Sequence, residues 1–131
     1  MSLWVDARGQ IVASADWVRG RPDLVRIAAP PPPGNLAAYY VAGGEVLPKT
    51  GLGLATSRAT IAVGATCTVT TAAQEDLVFW VTDGHGGNVN QSVTPQNGTA
   101  TVTFGANLAG QYRIRAIGDT SISDTITITV T

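Results

Sequence analysis

From Leu54 onward, apolar and hydroxyl-bearing residues alternate with a period of two. Ile126, Ile128 and Val130 alternate with Thr125, Thr127, Thr129 and Thr131, and Ala100, Val102 and Phe104 with Thr99, Thr101 and Thr103. Successive side chains of a strand point to opposite faces, so this pattern predicts strands with one buried face and one face of hydroxyls. Tyr112, Ile114 and Ala116 alternate in the same way with Arg113 and Arg115. Strands are predicted over 57–63, 65–71, 76–82, 88–93, 99–104, 111–117 and 124–130, separated by Gly, Asn, Asp and Pro. Many short strands with such turn signals predict an antiparallel sandwich rather than a parallel sheet.

One strand departs from the alternation. Asp76-Leu77-Val78-Phe79-Trp80-Val81-Thr82, closed by Asp83-Gly84, is apolar on both faces. Placing Trp80 at the centre of the sandwich points Val78 and Trp80 inward. Leu77, Phe79 and Val81 then form a second apolar face, which needs cover from the N-terminal segment or another subunit. The predicted core is Cys67, Val78, Trp80, Phe104, Tyr112, Ile114, Ile126 and Ile128.

The first fifty residues read differently. Leu3-Trp4-Val5 and Gln10-Ile11-Val12-Ala13 predict a β-hairpin, and Asp23 to Ala28 a third strand. Pro30-Pro31-Pro32-Pro33-Gly34 predicts a stiff spacer, because consecutive prolines donate nothing to a ladder and favour polyproline II. Ala38-Tyr39-Tyr40-Val41-Ala42, Gly43-Gly44 and Glu45-Val46-Leu47 predict a tight hairpin, since Gly-Gly tolerates the positive φ angles of a two-residue turn. The chain is thus expected to comprise a small β-rich anchoring segment, 1–50, and a β-sandwich, 54–131. The segment is too short and too interrupted for a large core, so it is expected to dock on a partner or trimerise. Its aromatic residues Trp4, Trp17, Tyr39 and Tyr40, with the Leu77-Phe79-Val81 face, are the expected interface.

Composition narrows the partners. Charged residues are 13% of the chain, well below the usual quarter, and net charge is −1. That balance gives no electrostatic footprint for nucleic acid. One lysine, Lys49, stands against seven arginines, a bias toward planar contacts over solvated charge. The single cysteine, Cys67, cannot form an intrachain disulfide and reads as a buried thiol. Met1 to Asp6 lacks the basic start and apolar run of a signal peptide. No stretch approaches the ~20 apolar residues that span a bilayer, so membrane insertion is not expected.

Cys67, Trp80 and Tyr112, in that order, resemble the core of an immunoglobulin-type sandwich. Ala106-Asn107-Leu108-Ala109-Gly110-Gln111-Tyr112-Arg113-Ile114 is similar to the tyrosine corner of that superfamily. The resemblance implies a Tyr112 hydroxyl bonded back to nearby backbone, and Ile114 where the family's second cysteine stands, with Cys67 packed against it. The fold implied is all-β, an immunoglobulin-like antiparallel β-sandwich with a small β-hairpin-rich N-terminal segment. Its Gly- and Thr-rich, disulfide-free character resembles the bacterial and phage branch of immunoglobulin-like domains. The opening hairpin, proline segment and Tyr-Tyr-Val-x-Gly-Gly-Glu-Val turn resemble small accessory proteins of tailed-phage virions. That second resemblance implies a virion protein assembled in the host cytoplasm, with other virion proteins or copies of itself as partners. The alternative expectation is an adhesion module that binds host cell-surface polysaccharide.

Catalytic chemistry is poorly represented. Asp83-Gly84-His85-Gly86-Gly87-Asn88 offers too few convergent ligands for zinc or calcium and reads as a loop. It lacks the Lys and the following helix of a phosphate-binding loop. Glu75 and Asp76 are adjacent and point to opposite faces of a strand, which argues against a catalytic pair. No cofactor and no enzymatic activity are expected.

Overall fold

The computed structural model describes residues 2–15, 21–27, 32, 34–83 and 88–131. Trp17, His85 and, apart from Pro32, the proline run lie outside the described residues. The chain divides into two compact units, Met1–Thr50 and Gly51–Thr131.

The first unit is built from two hairpins. β1 (Ser2–Val5) pairs antiparallel with β2 (Ile11–Ala15) on one side and β3 (Val25–Ile27) on the other. The Asp6 carboxylate shapes the turn between β1 and β2 by accepting the Arg8 and Gln10 backbone N–H groups, each at 2.9 Å. A short 3₁₀ turn (Leu36–Ala38) leads into β4 (Tyr39–Ala42), which pairs with β5 (Glu45–Pro48). Gly43 and Gly44 both take positive φ, 59° and 78°, as a type I′ turn requires. Gly9 is held to glycine by crowding, because a Cβ there would lie 2.5 Å from the Val41 carbonyl oxygen. The Val41 N–H in turn donates to the Gly9 carbonyl at 2.8 Å. Leu3, Val5, Ile11 and Leu24 are buried.

The second unit is an immunoglobulin-like sandwich. After β6 (Thr50–Leu52) come β7 (Ala55–Thr56), β8 (Thr60–Ile61), β9 (Thr66–Ala72), β10 (Leu77–Asp83), β11 (Asn88–Val93), β12 (Thr99–Gly105), β13 (Gly110–Ile117), β14 (Ser121–Ser123) and β15 (Ile126–Val130). One sheet has the order β12-β9-β7. The other runs β11-β10-β13, and β13 continues to β15 in one part of its length and to β14 in the other. β8 joins its outer edge, parallel to β15.

Of the strand predicted over 57–63 only Thr60–Ile61 (β8) is a strand, and β7, just before that range, lies in the other sheet. The break has a local cause. The Thr56 hydroxyl donates to the Arg58 carbonyl at 2.8 Å and accepts the Arg58 N–H at 3.3 Å. A side chain that closes on its own backbone in this way competes with a continuous ladder. β14 was not predicted, being only three residues long.

Between the sheets lie Ile61, Cys67, Val69, Leu77, Phe79, Ala100, Val102, Phe104, Tyr112, Ile114, Ala116, Ile128 and Val130, all buried, with Ile126 and Val81 half-buried against them. Phe104 and Tyr112 meet with ring centroids 5.3 Å apart and planes tilted by 57°, a favourable aromatic geometry.

In β10 the predicted facing is reversed. Leu77 and Phe79 are 1% and 0% exposed and fill the core, whereas Val78 and Trp80 are half-buried on the outer side. The neighbouring strand decides this. Phe79 pairs with Ala116 and Val81 with Ile114, while Trp80 pairs with Arg115 and Thr82 with Arg113. Directly opposed residues share a face. Arg113 and Arg115 belong in water, so the residues beside them face water too. Of the aromatic pair, Phe79 has no polar atom to satisfy, whereas Trp80 carries an indole N–H that would need a partner in the core. The face of Leu77, Phe79 and Val81 thus packs into the unit's own core and is not an interface needing cover.

Candidate functional site

The outer face of β11, β10, β13 and β15 brings aromatic, cationic, amide and hydroxyl side chains together. Two rows of side chains cross it. Asn90 on β11, Trp80 on β10 and Arg115 on β13 are directly opposed in one row. Thr82, Arg113 and Thr127 form the next, on β10, β13 and β15. Strands in a sheet lie about 4.8 Å apart, so neighbours within a row are within side-chain reach. Asn90, Thr82, Arg113 and Thr127 are exposed, and Trp80 and Arg115 are half-buried.

The Arg115 guanidinium lies 6.0 Å from the centroid of the Trp80 ring, at the outer limit of a cation–π contact. Around this pair is a hollow of about 160 Å³, lined by Trp80, Thr82, Arg113, Arg115 and Thr125. Neither arginine forms an ion pair with a described residue. The alternation of β13 carried the signal for this face. It became a site only when Trp80 joined the arginines on the same side.

A second concavity, about 220 Å³, opens where the edge strands β11 and β12 leave the sandwich unclosed. Phe79, Val81, Val89, Val102, Phe104 and Tyr112 form its apolar wall, with Asp83 and Gln91 as polar members. It is an opening onto the core rather than an assembly of reactive groups.

Two polar devices hold the sandwich loops. The Tyr112 hydroxyl donates to the Leu108 carbonyl at 2.8 Å, the tyrosine-corner bond expected from the resemblance. The Glu75 carboxylate accepts the Thr120 N–H at 3.0 Å and the Thr120 and Ser121 hydroxyls at 2.7 Å each. Partial burial pushes the Glu75 carboxyl up, but these hydrogen bonds outweigh it and hold it below its ordinary value. Glu75 is therefore a clamp on the β13–β14 turn.

Cys67 is buried and unpaired, on β9 opposite Phe104. Tyr39 and Tyr40 on β4 and Trp4 on β1 are half-buried in the first unit. Among the described residues, no group of three or more His, Cys, Asp or Glu side chains is arranged to hold a metal ion. No described helix is long and apolar enough to cross a membrane.

No family model matches the chain, and no curated protein matches it. Among solved structures it is similar to the Lin-41 filamin domain, at 11% identity and a TM-score of 0.47, over 60% of this chain and 91% of that one.

Proposed function

We propose that the chain is a non-enzymatic structural accessory protein of a tailed-phage virion, on the tail, baseplate or capsid. The first unit docks on the particle or on further copies of the chain, and the immunoglobulin-like unit is the displayed part. The observation that carries this reading is the division into two β units of different character. The first buries only Leu3, Val5, Ile11 and Leu24 among its described apolar residues and keeps Trp4, Tyr39 and Tyr40 half-buried, the residue types that anchor protein interfaces. The second has a full two-sheet core and two polar loop clamps, which suit a rigid displayed body.

The test is incorporation of truncated chains into assembled particles. Full-length chain is expected to copurify with particles, and a chain lacking residues 1–50 to be absent from them while residues 51–131 still melt cooperatively. Retention of the truncated chain would place the docking surface on the sandwich instead. Failure of the full-length chain to copurify with any particle would sink the reading.

A further inference from the structure

We propose that the outer face of β11, β10, β13 and β15 binds an acidic polysaccharide, with a sugar ring stacked on Trp80 and carboxylates taken by Arg113 and Arg115. This goes beyond the docking role and does not depend on where the chain is mounted.

Among the residues paired in the four strands the charge on this face is one-sided. Val78, Trp80 and Thr82 on β10, Asn90 and Ser92 on β11, and Thr127 and Thr129 on β15 share it with the two arginines, and none is acidic. Neither guanidinium has an ion-pair partner among the described residues. A guanidinium offers a planar fork of donors that matches a carboxylate in two parallel hydrogen bonds. Arg113 and Arg115 stand two residues apart on one strand, so their backbones are about 7 Å apart. That spacing suits a polymer with repeated carboxylates better than a lone anion.

The aromatic member selects the class of polymer. The Arg115 guanidinium lies over the Trp80 ring at 6.0 Å, a loose contact that a sugar ring can displace toward the adjoining hollow of about 160 Å³. The apolar C–H face of a pyranose ring can lie on the electron-rich indole, with its hydroxyls within reach of Asn90, Thr82 and Thr125. β10 and β13 are hydrogen-bonded on both sides, so a peptide cannot add to them as a strand. A nucleic acid would need a longer track of cations than two arginines on a chain of net charge −1.

The experiment is isothermal titration of the full-length chain at low ionic strength. The probes are polygalacturonate and alginate oligomers, neutral dextran and cello-oligosaccharides, poly-L-glutamate and oligo-dT. Saturable binding of at least one polyuronate is expected, at least tenfold tighter than either neutral sugar, poly-L-glutamate or oligo-dT. Trp80→Ala and Arg115→Gln should each weaken it at least tenfold. Arg113→Gln changes an exposed side chain and leaves the fold intact, and it should weaken binding at least threefold. Absence of saturable binding by both polyuronates would overturn the proposal. So would unchanged affinity in Arg113→Gln, or equal affinity for poly-L-glutamate or oligo-dT, which would mark the face as a peptide or nucleic-acid surface.

Discussion

Truncating two adjacent residues, Phe79 and Trp80, tests the facing of β10, on which both the core and the outer site depend. Phe79 is fully buried and is among the largest side chains that are. Aromatic side chains bury about 150–250 Å² each, and roughly 100 Å² of that goes when Phe becomes Ala. At about 25 cal/mol per Å² the transfer loss is ~2.5 kcal/mol. The cavity left behind brings the expected cost of Phe79→Ala to about 3–5 kcal/mol. Trp80 is larger but partly exposed, and its directly opposed neighbours, Asn90 and Arg115, are polar. Its removal opens a surface that water fills rather than a closed cavity, so Trp80→Ala should cost about 1–2 kcal/mol. The assay is differential scanning calorimetry of the full-length variants, with hydrogen exchange over β9 to β15 assigning the transition to the second unit. For a unit of this size the melting point should fall by about 15 °C or more for Phe79→Ala and by roughly 5–10 °C for Trp80→Ala. A larger loss for Trp80→Ala than for Phe79→Ala would refute the facing, and the outer site with it.

Other consequences are open to simple measurement. Tyr112→Phe keeps the buried ring but removes the bond to the Leu108 carbonyl, and should lower stability by about 1 kcal/mol in urea unfolding. The Glu75 carboxyl is held below its ordinary value of 4.5, so its contribution is full above that pH and is lost as pH falls through the lower folded value. Glu75→Gln should therefore flatten the acid limb of a stability–pH curve below about pH 4.5, and an unchanged acid limb would show that the clamp does not couple to folding. Gly9→Ala drives a methyl group into the Val41 carbonyl at a backbone angle of +78°, and should destabilise the first unit by about 2 kcal/mol or more while leaving the sandwich transition in place. The Cys67 thiol should react with a thiol reagent only as the sandwich unfolds, and stoichiometric labelling of the native chain would contradict its burial.

Much of the sandwich was legible because its strands carry a single unambiguous period. Over 99–104 of β12, 111–116 of β13 and 126–130 of β15 every second residue is apolar and the rest are Thr, Arg or Gln, so sequence determines both the strand and its buried face. The Gly43-Gly44 turn and the Tyr112 corner were legible for a similar reason, since each requires residue types that few other structures demand. The division near residue 50 followed from a change of pattern, from interrupted apolar runs to regular Thr alternation.

Tertiary structure decided what local pattern left degenerate. β10 is apolar on both faces, so its own residues do not say which side is inside; pairing with Arg113 and Arg115 of β13 settles it. The Thr56–Arg58 hydroxyl bonds, which separate β7 in one sheet from β8 in the other, depend on competition between a side chain and a ladder that no periodicity reports. The candidate site was hidden for the same reason as the facing of β10. Trp80 at the surface, beside arginines more than thirty residues away in the chain, exists only in the register of three paired strands. Apolar alternation is a property of one strand and is written locally, whereas a binding face is a property of several and is assembled only when they pair.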